Sequence, residues 1–196
     1  AIFDIDGTLI DMQSKRITEK TLEALQRLRA GGVKICLATG RSPVALPVFP
    51  GVEFDAYLTF NGSLCYDRKG VIFSNPIPHK DVVRFIQNAA ALGRPICVST
   101  RDRLAANGTD TDLTDYFAIA NEDVPIVDNF DAMCEEDIYQ LMLGCRPKDY
   151  PALLDGAPGA KIAAWWDRAV DVIPAGGGKG IGIEKMLAYY GLDKAE

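Results

Sequence analysis

A chain of 196 residues and 21.3 kDa, 48% hydrophobic and 24% charged, is long enough for one domain or for one domain carrying an insertion. Its net charge of -6 argues against a nucleic-acid partner, because phosphate backbones are met by basic patches. No apolar run approaches the ~20 residues of a membrane-spanning helix, and two aspartates interrupt the first apolar stretch, so neither a membrane partner nor a signal peptide is expected.

Residues 1–6 (Ala-Ile-Phe-Asp-Ile-Asp) read as a buried strand that runs into Gly7-Thr8. The chain starts inside that strand without a Met, which suggests that a few residues precede it. Side chains alternate along a strand, so Asp4 and Asp6 point the same way, two residues apart. Like charges held that close call for a proton on one of them or a cation between them. Thr18 is placed to cap a helix with Leu22, Leu25 and Leu28 on one face, ended by Gly31-Gly32. Strands are predicted at 33–38 and 55–60, and a hairpin over 63–73 turns at Arg68-Lys69-Gly70. Strand, helix, strand, connection, strand is the opening of a parallel α/β sheet.

Two Pro/Gly stretches, at 75–79 and 173–178, punctuate the chain. Between them lie a helix over 80–92, strands near 95–99 and 103–107, and a helix through Leu113 and Phe117. A strand at 138–145, a short helix at 150–154 and a hairpin over 160–173 follow. Residues 79–173 therefore read as a second α/β domain inserted into a core formed by 1–78 and 174–196. Adjacent Trp165 and Trp166, if on a strand, face opposite sides. A last helix carries Ile181, Ile183, Met186 and Leu187. The five cysteines are scattered, form no CxxC pair and mostly sit in apolar runs, as reduced core residues of a cytoplasmic protein do.

Ligands of open α/β sheets bind at the carboxyl ends of the strands, and the polar residues gather there. The first strand delivers Asp4 and Asp6, the second Thr39-Gly40-Arg41, the third Thr59 and Asn61-Gly62; Lys179 opens the last helix. These parts fit attack on phosphorus. A carboxylate can act as nucleophile toward a phosphoryl group. A divalent cation, for which Mg²⁺ suits a shell of carboxylate, carbonyl, water and phosphate oxygens, offsets the repulsion between the two anions. The Thr39 hydroxyl and backbone N–H groups near Gly7 can hold phosphate oxygens, and Lys179 supplies a positive charge. Arg41 is open to two readings, substrate binding or a structural ion pair.

Phe3-Asp-Ile-Asp-Gly-Thr-Leu9 resembles the first motif of the haloacid dehalogenase-like (HAD) hydrolases. Thr39 in Leu-Ala-Thr-Gly-Arg resembles their second motif, and Lys179 in Gly-Gly-Lys-Gly-Ile their third. The order and spacing are similar to the Cof-type subfamily, whose large α/β cap of type C2B lies between the second and third motifs. The resemblance implies a Rossmann-like parallel-sheet core with an inserted cap, and a Mg²⁺-dependent phosphatase of small phosphate esters, sugar phosphates above all. It implies Asp4 as nucleophile and Asp6 as general acid and then base. It assigns the metal to the Asp4 side chain and the Asp6 carbonyl, the phosphoryl group to Thr39 and Lys179, and a place beside the phosphate to Asn61; Gly7 and Gly40 join them as phosphate-binding candidates, and Arg41 and Asn61 are the candidates for substrate contact. The family's fourth motif, Gly-Asp…Asn-Asp on a further strand, is not among these residues. That leaves a core incomplete at its C-terminal side, or a relative that binds sugar phosphates without turning them over. The strand carrying that motif pairs with the first strand in such folds, and a bare apolar edge aggregates, so an incomplete core is the reading preferred here.

Overall fold

A computed structural model of the chain describes residues 1–11, 13–14 and 16–193. Residues 194–196, where the expected further strand begins, lie outside the described residues. The chain divides into two compact units, Ala1–Ser74 with Gly177–Glu196, and Asn75–Gly176. The second unit starts a few residues before the expected 79 and ends a few residues after the expected 173. Ile77 is already buried in the second unit, and its N–H donates to the Ile138 carbonyl at 2.8 Å.

The first unit opens with β1 (Ile2–Phe3), α1 (Glu19–Ala30), β2 (Cys36–Ala38), β3 (Ala56–Thr59), β4 (Leu64–Asp67) and β5 (Gly70–Ser74). These form one sheet in the order β1-β2-β3-β4-β5. The pairs β1·β2 and β2·β3 are parallel, and the hairpin β4–β5 is added antiparallel to β3. Side chains along β2 and the residue before it alternate between two apolar layers. Ile35 and Leu37 join Ile5, Leu25 of α1, Phe49 and Phe54; Cys36 and Ala38 join Ala56, Leu58 and Cys65 on the other face. Both faces are therefore covered, as parallel strands require. The Thr18 hydroxyl accepts the Thr21 N–H at 3.2 Å and starts α1, with Glu19 in the first turn and Arg27 and Arg29 in the last, each favourable to the helix dipole.

The first two strands are shorter than expected, each for a local reason. The first ends at Phe3 because the Ile5 carbonyl accepts the N–H groups of Thr8, Leu9 and Ile10, which winds the chain into a turn. The second starts at Cys36 because Val33 still donates to Leu28 of α1, while Ile35 donates to the Asp55 side chain.

The second unit holds α2 (His79–Ala91), β6 (Ile96–Ser99), β7 (Leu104–Ala106), α3 (Thr111–Ile119), α4 (Phe130–Met133), β8 (Gln140–Gly144), α5 (Tyr150–Leu154), β9 (Ala160–Ala163) and β10 (Ala169–Pro174). Its sheet, β7-β6-β8-β10-β9, is antiparallel throughout. Ile96, Val98, Leu141, Leu143, Val170 and Val172 pack on one side with Val82 and Phe85 of α2 and Leu153 of α5. Cys97 and Met142 pack on the other with Leu113 and Phe117 of α3. Trp165 and Trp166 follow β9 in an irregular turn instead of standing on a strand. They stack on each other, ring centroids 6.2 Å apart, and the Arg168 guanidinium lies 4.4 Å over the Trp166 ring. The chain then returns to the first unit as α6 (Lys179–Tyr190), whose Ile183 and Met186 complete the layer that contains Cys36 and Leu58. The five cysteines are all free and buried.

One buried charge in the second unit gives a pH prediction. Asp171 of β10 is 6% exposed, and burial pushes its carboxyl up to about 6, against the pull of hydrogen bonds from Tyr116, Gln140 and Trp165. The Tyr116 hydroxyl donates to Asp171 Oδ1 at 2.6 Å. Since the folded state holds this proton more tightly than the unfolded chain, stability from Asp171 is fully present below the ordinary value of 3.8. It is lost as the pH rises through about 6. Two pKa units correspond to at most ~3 kcal/mol. Asp171→Asn keeps an oxygen for Tyr116 and removes the ionisation. The variant is expected to gain stability over the parent between pH 5 and pH 8, read as the difference in urea midpoints at the two pH values. A parent and variant that shift in parallel would sink this account.

Candidate active site

The turn at the end of β1 presents two half-exposed carboxylates around a fully buried Ile5. Each carboxylate has a cation of its own. Asp4 Oδ1 accepts the N–H of Ile5 at 2.9 Å and lies 2.9 Å from Lys179 Nζ. Asp6 is held by Arg41 through two parallel bonds, Nε to Oδ2 at 2.9 Å and Nη2 to Oδ1 at 2.7 Å. The repulsion expected between the aspartates is thus met by two side chains that arrive from distant parts of the chain. Among the described residues no group of three or more His, Cys, Asp or Glu gathers as a metal cluster.

Thr39 follows β2 directly and is 1% exposed. Its N–H donates to Leu58 and its carbonyl accepts from Asn61, which ties the end of β2 to the turn after β3. Its hydroxyl accepts the Arg41 N–H at 3.1 Å. Gly40 lies under the Asn61 amide; a Cβ there would come within 3.3 Å of Asn61 Nδ2. The turn itself is strained: Phe60, Asn61 and Gly62 all have positive φ, at 50°, 55° and 84°. A buried Phe60 side chain and the bonds from Phe60 N–H to Arg41 and from Asn61 N–H to Thr39 hold it there.

That turn seats α6. A Cβ on Gly62 would lie 2.8 Å from the Gly178 carbonyl and 3.2 Å from the Cα atoms of Lys179 and Gly182. A Cβ on Gly182 would lie 2.8 Å from the Gly62 Cα. Two glycines facing each other let the backbones touch, and this contact carries Lys179 to Asp4. Cys65, whose thiol faces the Gly62 and Gly182 carbonyls at 3.6 and 3.8 Å, is no nucleophile: burial pushes it up to about 12.

The structure thus brings Asp4 to Lys179, Asp6 to Arg41, and Thr39 and Gly40 to Asn61. Two expectations change in detail. The Gly7 N–H is donated to the Ile10 carbonyl at 3.0 Å, so that amide closes the turn and does not point to a phosphate; Gly7 serves by its φ of 75°. Arg41, left open between substrate and ion pair, is in the ion pair. Gly182 is a further residue of the site, outside the expected motifs. A glycine in the first turn of a helix, where Ala is better by ~1 kcal/mol, was the available signal of a close backbone approach.

The model of the haloacid dehalogenase-like hydrolase family matches residues 1–196. The chain is 29% identical over 194 residues to "Putative phosphatase YkrA" of Bacillus subtilis (strain 168), covering 97% of this chain and 74% of the relative. The crystal structure of a protein from Geobacillus kaustophilus HTA426 superposes with a TM-score of 0.84 at 31% identity, over 98% of this chain and 75% of that one. The structure of the HAD subclass IIB sugar phosphatase BT4131 gives a TM-score of 0.81 at 25% identity, over 98% and 76%. With that family's model matched from end to end and its fold in place, the chain belongs to the haloacid dehalogenase-like hydrolases and is an enzyme of that family.

Proposed function

We propose that the protein is a Mg²⁺-dependent phosphatase that hydrolyses small phosphate monoesters, sugar phosphates above all, through an aspartyl-phosphate on Asp4. The observation that carries this reading is the pair of aspartates on one turn, each matched to its own cation. The phosphatase names of YkrA and of the sugar phosphatase BT4131 support it.

In the proposed course, an Asp4 carboxylate oxygen attacks phosphorus and the bond from phosphorus to the ester oxygen breaks. Asp6 gives its proton to that leaving oxygen, so an alcohol departs. Water then attacks the phosphoryl group on Asp4, passes a proton to Asp6, and the bond from phosphorus to Asp4 breaks, which restores both carboxyl groups and frees phosphate. The Lys179 ammonium, already 2.9 Å from Asp4 Oδ1, lies where it can bridge the nucleophile and a phosphoryl oxygen. Thr39 and Gly40 are assigned to the phosphoryl group and Asn61 to the substrate.

The Asp4 carboxylate and the Asp6 carbonyl fit Mg²⁺. Both are hard oxygens, and this ion is commonly held by one or two carboxylates with water and substrate phosphate filling the rest. When bound there it would neutralise charge on the transferring group. The second unit, which lies between Thr39 and Lys179 in the chain, is assigned substrate selection.

A phosphate-release screen over sugar phosphates, with protein made from the full reading frame and Mg²⁺, tests the reading. Release from at least one small phosphomonoester is expected. Chelation is expected to lower it ~10²-fold or more, and Mg²⁺ to restore it. No release from any phosphomonoester in the presence of Mg²⁺ would count against it.

A further inference from the structure

We infer that the second unit carries a sugar-binding surface of its own, an aromatic platform centred on Trp165 that takes the apolar face of a pyranose ring, free or phosphorylated. The inference concerns the second unit alone, and direct binding reads it whether or not Asp4 acts as assigned above.

Trp165 is 52% exposed, although an indole is among the largest apolar surfaces a chain can bury. It is nonetheless held in place. Its ring lies against Tyr116 of α3, centroids 5.4 Å apart, and stacks on Trp166 at 6.2 Å. Its single polar group, the indole N–H, is turned inward to the buried Asp171. The Tyr116 hydroxyl is turned the same way, to Asp171 Oδ1 at 2.6 Å. The exposed part of Trp165 is therefore ring carbon, fixed in one orientation. A platform ordered in advance loses little side-chain entropy when a ligand arrives.

This arrangement costs stability. The ionised form of Asp171 disfavours the fold near neutral pH, as derived above. Apolar residues at both 116 and 171 would remove that cost, since replacing both partners of a buried hydrogen bond is nearly neutral or stabilising. A carboxylate kept beneath two aromatic rings is the pattern of a site that trades stability for function.

The rim selects the ligand. Arg168 lies 4.4 Å over Trp166 and pairs at 2.7 Å with Asp115, the residue before Tyr116; both ions are partly exposed. A neutral polyol can accept from the guanidinium and donate to the carboxylate without opposing either charge. A pyranose with equatorial hydroxyls also offers a face of C–H groups to lay on the indole. One half-exposed indole is too small for a protein partner, since stable interfaces bury ~800 Å² a side.

Saturation-transfer NMR on protein from the full reading frame tests the inference, without Mg²⁺ so that no ester is consumed. The probes are methyl β-D-glucopyranoside, whose ring hydroxyls are all equatorial, glucose 6-phosphate, glycerol and pyridoxine. Transfer to the ring C–H protons of the glucoside and of glucose 6-phosphate is expected, strongest on one face, with none to glycerol. Trp165→Ala should weaken the glucoside about tenfold, the effect of losing one stacked ring. Ile126→Ala, at an apolar residue of the same unit that is 56% exposed, should leave binding unchanged. Trp165→Phe keeps a flat ring and should lie between parent and Ala variant, and it carries the test if the Ala variant fails to melt cooperatively. No transfer to the glucoside at about 100 mM, far above a millimolar Kd, overturns the inference. So does equal transfer in the parent and Trp165→Ala, or transfer to pyridoxine that exceeds transfer to the glucoside. Binding of glucose 6-phosphate alone, unchanged in Trp165→Ala, also overturns it, because the phosphate would then be the group recognised.

Discussion

Asp4→Asn is expected to abolish turnover, with kcat on good substrates down by ~10⁴-fold or more, equivalent to ~5–6 kcal/mol of activation free energy. The fold should survive. Asn keeps an oxygen in the place where Asp4 Oδ1 accepts the Ile5 N–H, and what is lost is an ion pair whose partners are 41% and 37% exposed. Pairs as exposed as that contribute ~0–1 kcal/mol once solvent screening is counted. Loss of activity without loss of melting temperature is therefore the signature of chemistry at Asp4. Rapid quenching of the parent during turnover should further leave phosphate on the peptide that contains Asp4, and that adduct should be missing from the variant. A variant that keeps more than a few per cent of the parent rate would remove Asp4 as nucleophile.

Gly182→Val is expected to damage both stability and activity, while Gly180→Ala should be neutral or slightly stabilising. Both glycines stand in the first turn of α6, where a non-glycine residue gains up to ~1 kcal/mol of helix propensity. They differ in surroundings. A Cβ on Gly180 meets nothing within 4 Å, whereas one on Gly182 comes within 2.8 and 2.9 Å of the Gly62 Cα and carbonyl oxygen. Those are backbone atoms in a strained turn and cannot swing aside. Overpacking of this kind costs ~1–3 kcal/mol for small additions, and a branched side chain should reach the upper end or beyond it. Any relief by sliding α6 moves Lys179 away from Asp4, and a displacement of ~1 Å at a reacting group can cost ~10²-fold in rate. Thermal melts and kcat/KM for the two variants, measured side by side, test this. Equal behaviour of the pair would show that the Gly62–Gly182 contact does not set the position of Lys179.

Much of the site was legible because its chemistry lies in short, ordered motifs. Asp4-Ile-Asp6 before a glycine, Thr39 after an apolar strand and Lys179 after a glycine run could each be located from local pattern alone. The cap of α1 at Thr18 was legible for the same reason, since a hydroxyl before an amphipathic run has a local use. The features that escaped depend on partners far away in the chain. The fork between Asp6 and Arg41 joins residues 35 apart, and the Gly62–Gly182 contact joins a β turn to a helix beyond the second unit. The stacking of Trp165 on Trp166 needed the knowledge that β9 ends at Ala163. Helix α4, four residues around Phe130 and Met133, is too short to show a period.

The position of α6 in the chain also bears on how the protein is made. The layer of Cys36, Ala38, Ala56, Leu58 and Cys65 is sealed by Ile183 and Met186, which the ribosome adds only after the whole of the second unit. At ordinary rates of synthesis that interval is roughly 5–20 s. Throughout it, that apolar side of the nascent sheet lacks Ile183 and Met186. The growing polypeptide in that window is a natural client for a chaperone that shields hydrophobic surface, and substitutions that slow the docking of α6 should lower yield in cells before they lower the stability of the finished protein.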